Sequence, residues 1–260
     1  MHRNSGLFWG ALVLLAGILF LLSNFNILRG VNVWGLIWPA FLILAGLWVL
    51  LSLTRRGKAD VDHVSLPLGE RAQARIVVEH GFGVTSLSGA AEPGALVSGS
   101  FAGGLDYRLE GSQLRLKMAD AGFPFNWFVP RDVTWDFRVS GQIPLELKFD
   151  GSAGQQNLNL RDLRVTTLKL DGGVGERRIT MPARAGQTTA ELDGGVGATV
   201  IDIPEGVAAE ISVSAGLGGV TIPPRFPKVG EHLYRSADYN AAANRLSLKV
   251  DVGVGAVTIR

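Results

Sequence analysis

Two kinds of hydrophobic pattern divide the chain near residue 59. Before it, residues 7–22 form a run of 16 positions without a charge, and residues 33–53 form a second run of 21. The second crosses about 30 Å of hydrocarbon at about 1.5 Å per residue when helical. The first reaches that length when extended to residue 28, with Asn24 and Asn26 at headgroup depth. In lipid only a helix satisfies the backbone polar groups of a single segment. The pattern therefore predicts a membrane α-helical hairpin, with helices over residues 7–28 and 33–53 of a transmembrane region covering 1–58. From 59 to 260 the pattern becomes short alternation dense in Val, Ile, Leu and Thr and broken by Gly, which predicts an all-β domain.

Within that domain one element recurs six times: an apolar residue, two unrestricted positions, Gly or Ser, a small or apolar residue, Gly, then an alternating strand. It reads Val78-Glu-His-Gly-Phe-Gly83, Phe149-Asp-Gly-Ser-Ala-Gly154 and Leu170-Asp-Gly-Gly-Val-Gly175. It returns as Leu192-Asp-Gly-Gly-Val-Gly197, Val213-Ser-Ala-Gly-Leu-Gly218 and Val250-Asp-Val-Gly-Val-Gly255. From Phe149 the starts follow at intervals of 21, 22 and 21 residues, then 37, which is one period plus an insertion holding Pro223, Pro224 and Pro227. A fixed period of this size signals stacked repeats. It predicts a β-solenoid whose rungs of 21–22 residues each hold three strands of about five or six residues joined by corners. The structural corners are expected at Gly81, Gly83, Gly154, Gly173, Gly175, Gly195, Gly197, Gly216, Gly218, Gly253 and Gly255, because glycine accepts positive φ without a Cβ clash.

Charge sharpens the division. No Asp or Glu precedes Asp60, whereas Arg3, Arg29, Arg55, Arg56 and Lys58 do, so the basic pI of about 9.1 comes largely from membrane flanks. The β-domain itself carries a balance of −3, which gives no nucleic-acid-binding face. Trp9, Trp34, Trp38 and Trp48 lie mostly near the ends of the apolar runs, as an interfacial belt requires. Gly10 and Gly17 share a helix face, and Pro39 is expected to kink the second helix. Residues 23–26 offer no small-x-small site for signal-peptide cleavage. Arg55, Arg56 and Lys58, with Arg3, outweigh Arg29 in the intervening turn, so both termini are expected in the cytoplasm of a multi-pass protein of the cytoplasmic membrane.

The search for chemistry finds no catalytic constellation, cofactor motif or metal site. A calcium-binding β-roll needs Asp two positions after the last glycine, where this chain has Arg177 and Thr199. The glycines precede strands rather than helices and end in no Gly-Lys-Ser/Thr, so neither a dinucleotide fold nor a P-loop fits. The four histidines, His2, His63, His80 and His232, have no metal-ligand spacing, and Cys is absent. Asp150, Asp171, Asp193 and Asp251 share one repeat position and are read as turn caps, with a carboxylate ladder as the alternative. Residues 120–135 concentrate aromatics, including Phe125 and Trp127, and are read as a loop that caps an open solenoid end, touches the bilayer or binds a partner. The chain stops inside an alternating strand, so Val257, Thr258 and Ile259 are expected to form an unpaired edge for a partner or a second copy, shielded by residues 223–244.

Two segments resemble known families. Gly6-Leu-Phe-Trp-Gly, Ser23-Asn-Phe-Asn-Ile-Leu and Val33-Trp-Gly-Leu-Ile-Trp-Pro39 resemble the transmembrane region of LiaI- and LiaF-like bacterial proteins. Trp135-Asp-Phe-Arg-Val, Ile143-Pro-Leu-Glu-Leu and the repeated Leu-Asp-Gly-Gly-Val-Gly units are similar to the adhesin-like toast-rack domain of LiaF C-terminal regions, a β-solenoid relative. The resemblance implies a membrane-anchored regulatory or scaffold protein of the bacterial cell envelope, not an enzyme, that modulates an envelope-stress sensor histidine kinase. LiaF itself is similar but carries additional membrane helices. The expected partners are the lipid bilayer and a membrane protein such as that kinase, with homo-oligomers possible and no nucleic acid. The rivals are a self-assembling membrane-tethered solenoid and an envelope enzyme acting on glycan.

Overall fold

Every second residue of most strands is apolar, so each strand buries one side and needs a facing layer. The computed structural model describes residues 61–119, 133–151 and 153–260; the predicted helical hairpin, Phe125 and Trp127 lie outside the described residues. The N-terminal strands are β1 (Val61–Pro67), β2 (Ala74–Glu79), β3 (Phe82–Ser88), β4 (Ala95–Ala102), β5 (Leu105–Glu110), β6 (Gln113–Met118) and β7 (Thr134–Val139). The repeats supply β8 (Leu145–Asp150), β9 (Ala153–Asn159), β10 (Val165–Asp171), β11 (Val174–Thr180), β12 (Gln187–Val196) and β13 (Thr199–Asp202). The C-terminal part adds β14 (Ala208–Leu217), β15 (Val220–Thr221), β16 (Leu233–Arg235), β17 (Arg245–Val254) and β18 (Val257–Ile259).

These strands form a solenoid of two parallel layers. One layer runs β6, β2, β8, β10, β12, β17, β14. The other runs β7, β3, β9, β11, β13, β18, β15. Each rung therefore contains two strands, not the three expected from its length. The reason is that strands of six or seven residues, such as β8 to β11, use most of the period, and the chain reverses at only two edges. Between the layers, Leu147, Leu168, Ala190, Leu248 and Ile211 line up opposite Leu158, Ile179, Ile201 and Ile259, all at most 2% exposed. Each large aliphatic side chain buried this way contributes about 1.5–3 kcal/mol.

The rungs do not stack in chain order. The last rung in sequence, β17 to β18, lies between β12 to β13 and β14 to β15. This corrects the expectation of an unpaired C-terminal edge. Val257 and Thr258 are paired on both sides, and Val257 and Ile259 are buried. The insertion before β17 returns the chain one rung inward, and its strand β16 pairs antiparallel with β14. At the other end β6 and β7 likewise lie outside β2 and β3, and β5, β4 and β1 finish both layers with antiparallel strands. A change of strand direction ends the parallel stack.

The end of the aromatic segment is also corrected. Trp135 is fully buried in β7, not part of a loop. Its ring meets Phe101 edge-on at 5.1 Å, and its Nε1 donates to the Ala102 carbonyl at 3.1 Å. Gly99 permits the close approach of β4 to β7 beside it, since a Cβ there would stand 2.4 Å from the Asp136 carbonyl oxygen.

Candidate functional site

The repeated motif folds into the edge where the two layers meet. Its last glycines, Gly83, Gly154, Gly175, Gly197, Gly255 and Gly218, form a column from rung to rung, with φ between +119° and +152°. At Gly175 a Cβ would lie 1.8 Å from the Gly154 carbonyl oxygen, and at Gly197 it would lie 1.8 Å from that of Gly175. Backbone conformation and stacking distance therefore both demand glycine here. The first glycines of the motif differ. Gly195, Gly216 and Gly253 lie inside β12, β14 and β17 rather than at bends, with a would-be Cβ 2.5–2.9 Å from a neighbouring carbonyl oxygen. Gly173 has φ +111°, and Gly81 faces the Met118 Cε.

Inside this edge lies a cation. Arg177 sits two residues before Ile179, so strand parity turns it inward, and it is 9% exposed. Its guanidinium donates to the Asp193 carbonyl at 3.2 Å and to the Gly172 carbonyl. Desolvation lowers its pKa, and Asp193 opposes that shift. Where a calcium β-roll has a carboxylate, this chain places a positive group that satisfies corner carbonyls itself.

Outside the edge, the residue before the last glycine of the motif points to solvent. Phe82, Ala153, Val174, Val196, Val254 and Leu217 are exposed and adjacent from rung to rung. Beside them runs the acidic row Glu79, Asp150, Asp171, Asp193 and Asp251. Asp171 forms no cap among the described residues; it and Asp150 both reach the Lys148 Nζ, at 3.2 and 2.6 Å, and hold its pKa up. One row further, Glu191 is held below its usual range by Lys169 and Lys249. Among the described residues, no three His, Asp or Glu side chains converge as metal ligands would.

Two further features lie towards the N-terminal end. His80 is 2% exposed, tilted against Trp135 at 4.7 Å, with Nδ1 2.9 Å from the Thr85 hydroxyl. Its Nε2 meets no partner among the described residues, and burial pushes its pKa down to about 4. A shallow groove of about 330 Å³ crosses the outer face of β1, β4 and β7. His63, Ser100 and Asp136 lie in register there, but with Ser100 in the middle and no hydrogen bond joining them. A nucleophilic relay needs the imidazole between serine and carboxylate. The inward Arg177, the buried His80 and the exposed apolar row were not singled out from the sequence. Strand parity gives the first, and the apolar residue between two glycines is the only sequence mark of the row.

Comparison with known proteins follows the same division of the chain. The family described as the N-terminal domain of toast_rack, DUF2154, matches residues 55–202. The LiaF transmembrane domain matches residues 8–65. No curated protein sequence matches the chain. The crystal structure of a candidate cell adhesion protein from Clostridium sporogenes is similar over 78% of this chain and 99% of its own, with 19% identity and a TM-score of 0.65. At that identity the likeness is one of fold. A candidate adhesin from Bacteroides fragilis covers 77% of this chain and 97% of its own at 9% identity, with a TM-score of 0.24.

Proposed function

Because this chain belongs to the toast-rack N-terminal domain family and carries a LiaF-type transmembrane domain ahead of it, we propose that it is a non-catalytic docking scaffold of the bacterial cell envelope. The LiaF-type region makes the protein membrane-associated. On our reading it enters the bilayer as a two-helix hairpin with both termini cytoplasmic, and the β-domain regulates an envelope-stress sensor kinase through protein contacts.

The single observation that carries this reading is the junction itself. The transmembrane match ends at residue 65, inside β1, so the solenoid begins where the membrane region stops. A β-domain joined in sequence to a membrane region stays with the membrane, where its surface meets neighbouring membrane proteins. The test is deletion of the whole chain in its native host, with an envelope-stress reporter and the phosphorylation of the responding kinase as readouts. The reading expects altered reporter output and altered kinase phosphorylation under cell-wall stress. Unchanged stress output contradicts it, and altered output with unchanged phosphorylation removes the kinase.

A further inference from the structure

The apolar row on the glycine edge has no place in the fold. Phe82, Val174, Val196, Val254 and Leu217 are 48, 58, 49, 44 and 71% exposed, and Ala153 completes the row. Rungs stack about 4.8 Å apart, so six rungs make an apolar ridge about 24 Å long. Corner geometry needs the glycine that follows each of these residues but sets no requirement for an apolar side chain before it. Contiguous exposed apolar surface of this kind marks a contact site.

The backbone and the charges select the occupant. The ridge peptides are already bonded along the stack: Gly197 N–H donates to the Val254 carbonyl at 2.9 Å, and Gly255 N–H to that of Leu217 at 2.7 Å. No edge remains here for an added strand, so the occupant must satisfy its own backbone, as a helix does. The row on one flank of the ridge is acidic, Glu79 to Asp251, and the other flank carries Glu176 with the exposed Arg178 behind it. Lys148 offsets Asp150 and Asp171, and Arg115 offsets Glu79, each from one position behind the row, whereas Asp251 and Glu176 form no ion pair among the described residues. A second copy placed with its acidic row facing this one would set carboxylates against carboxylates, and an anionic lipid surface would be repelled likewise.

The geometry points to a docking site for a cationic amphipathic α-helix from a partner protein, its apolar face along the Phe82–Leu217 ridge and its Lys or Arg residues against the acidic row and Glu176. A ridge of this length matches about 16 helical residues. The inference rests on the docking-scaffold reading and supplies its surface.

The test uses the full chain in phosphatidylcholine nanodiscs, with empty discs subtracted. A fluorescent Leu/Lys amphipathic peptide of about 16 residues is titrated beside its Leu/Glu counterpart. The Leu/Lys peptide binds and the Leu/Glu peptide does not. The double variant V196S/V254S weakens binding by about tenfold or more through lost apolar contact. The double variant E176Q/D251N weakens it by about threefold and flattens its salt dependence. Equal binding of both peptides, no binding, or an unchanged affinity in V196S/V254S overturns the proposal. So does a parent dimer that V196S/V254S converts to monomer, because the occupant is then a second copy. The two readings fail separately. Full complementation of the deletion by V196S/V254S removes this surface alone, whereas a deletion without phenotype removes the scaffold reading.

Discussion

The two edges of the solenoid return the chain between the same two layers in opposite ways. On the glycine edge, backbone stacks directly on backbone, so the same residue recurs in every rung from Gly83 to Gly218. On the opposite edge the chain takes longer turns, such as those closed by Leu163 N–H to the Leu160 carbonyl and by Val207 N–H to the Pro204 carbonyl. Glycines occur there too: Gly186 and Gly206 have φ +76° and +81°, yet nothing lies within 4 Å of a would-be Cβ. Positive φ alone does not make a repeat. The shortage of space at the next carbonyl does.

The largest effect expected is at the crowded edge. Gly175→Ala or Gly197→Ala in the full chain should destabilise the domain by about 3 kcal/mol or more, since strain and a backbone clash add. Gly186→Ala, strained but unobstructed, should cost only about 1 kcal/mol. Denaturant melts compare the three directly, and equal losses break the distinction.

Acid should act through His80. Its pKa falls from 6.5 to about 4 on folding, so the unfolded chain binds the proton more readily. The neutral imidazole contributes stability above pH 6.5 that is lost as the pH falls towards 4, by about 3 kcal/mol in full. His80→Phe keeps a ring against Trp135 and should remove this part of the pH dependence. Parallel pH profiles for parent and variant rule it out.

A smaller loss is expected at Arg177. Arg177→Met keeps much of the volume but removes the donors to the Gly172 and Asp193 carbonyls, which should cost about 2 kcal/mol in the same melts. The smallest effect is predicted on the outside of the same edge. Val196→Ser should leave stability within about 0.5 kcal/mol of the parent, because the side chain is exposed. A large loss there assigns the apolar ridge to folding rather than to binding.

What the sequence made legible follows from the same contrast. The period, the all-β class and the membrane-then-solenoid order were readable because the crowded edge admits one residue type, and because only long charge-free runs read as membrane segments. Two strands per rung were not readable, since the looser edge carries no recurring mark and its residues resemble a short third strand. The rung order was hidden for a different reason. Pairing β17 with both β12 and β14 depends on where residues 222–244 carry the chain, and alternation in Leu246, Leu248 and Val250 fits an inner rung as well as an outer one. Arg177 was visible only as a departure from a calcium motif. That it faces inward follows from its parity with Ile179, which only an assigned strand makes meaningful.

The continuity of the ridge depends on the rung order, and the absence of native cysteine allows that order to be tested by oxidation. Adjacent rungs lie about 4.8 Å apart, within disulfide reach, whereas rungs two apart exceed about 7 Å and are not bridged. In the full-length protein in membranes, D193C/D251C and S214C/D251C should cross-link on mild oxidation, and D193C/S214C should not. Cross-linking of D193C/S214C, with D251C linking to one partner or neither, would place the rungs in chain order and contradict the interleaved solenoid.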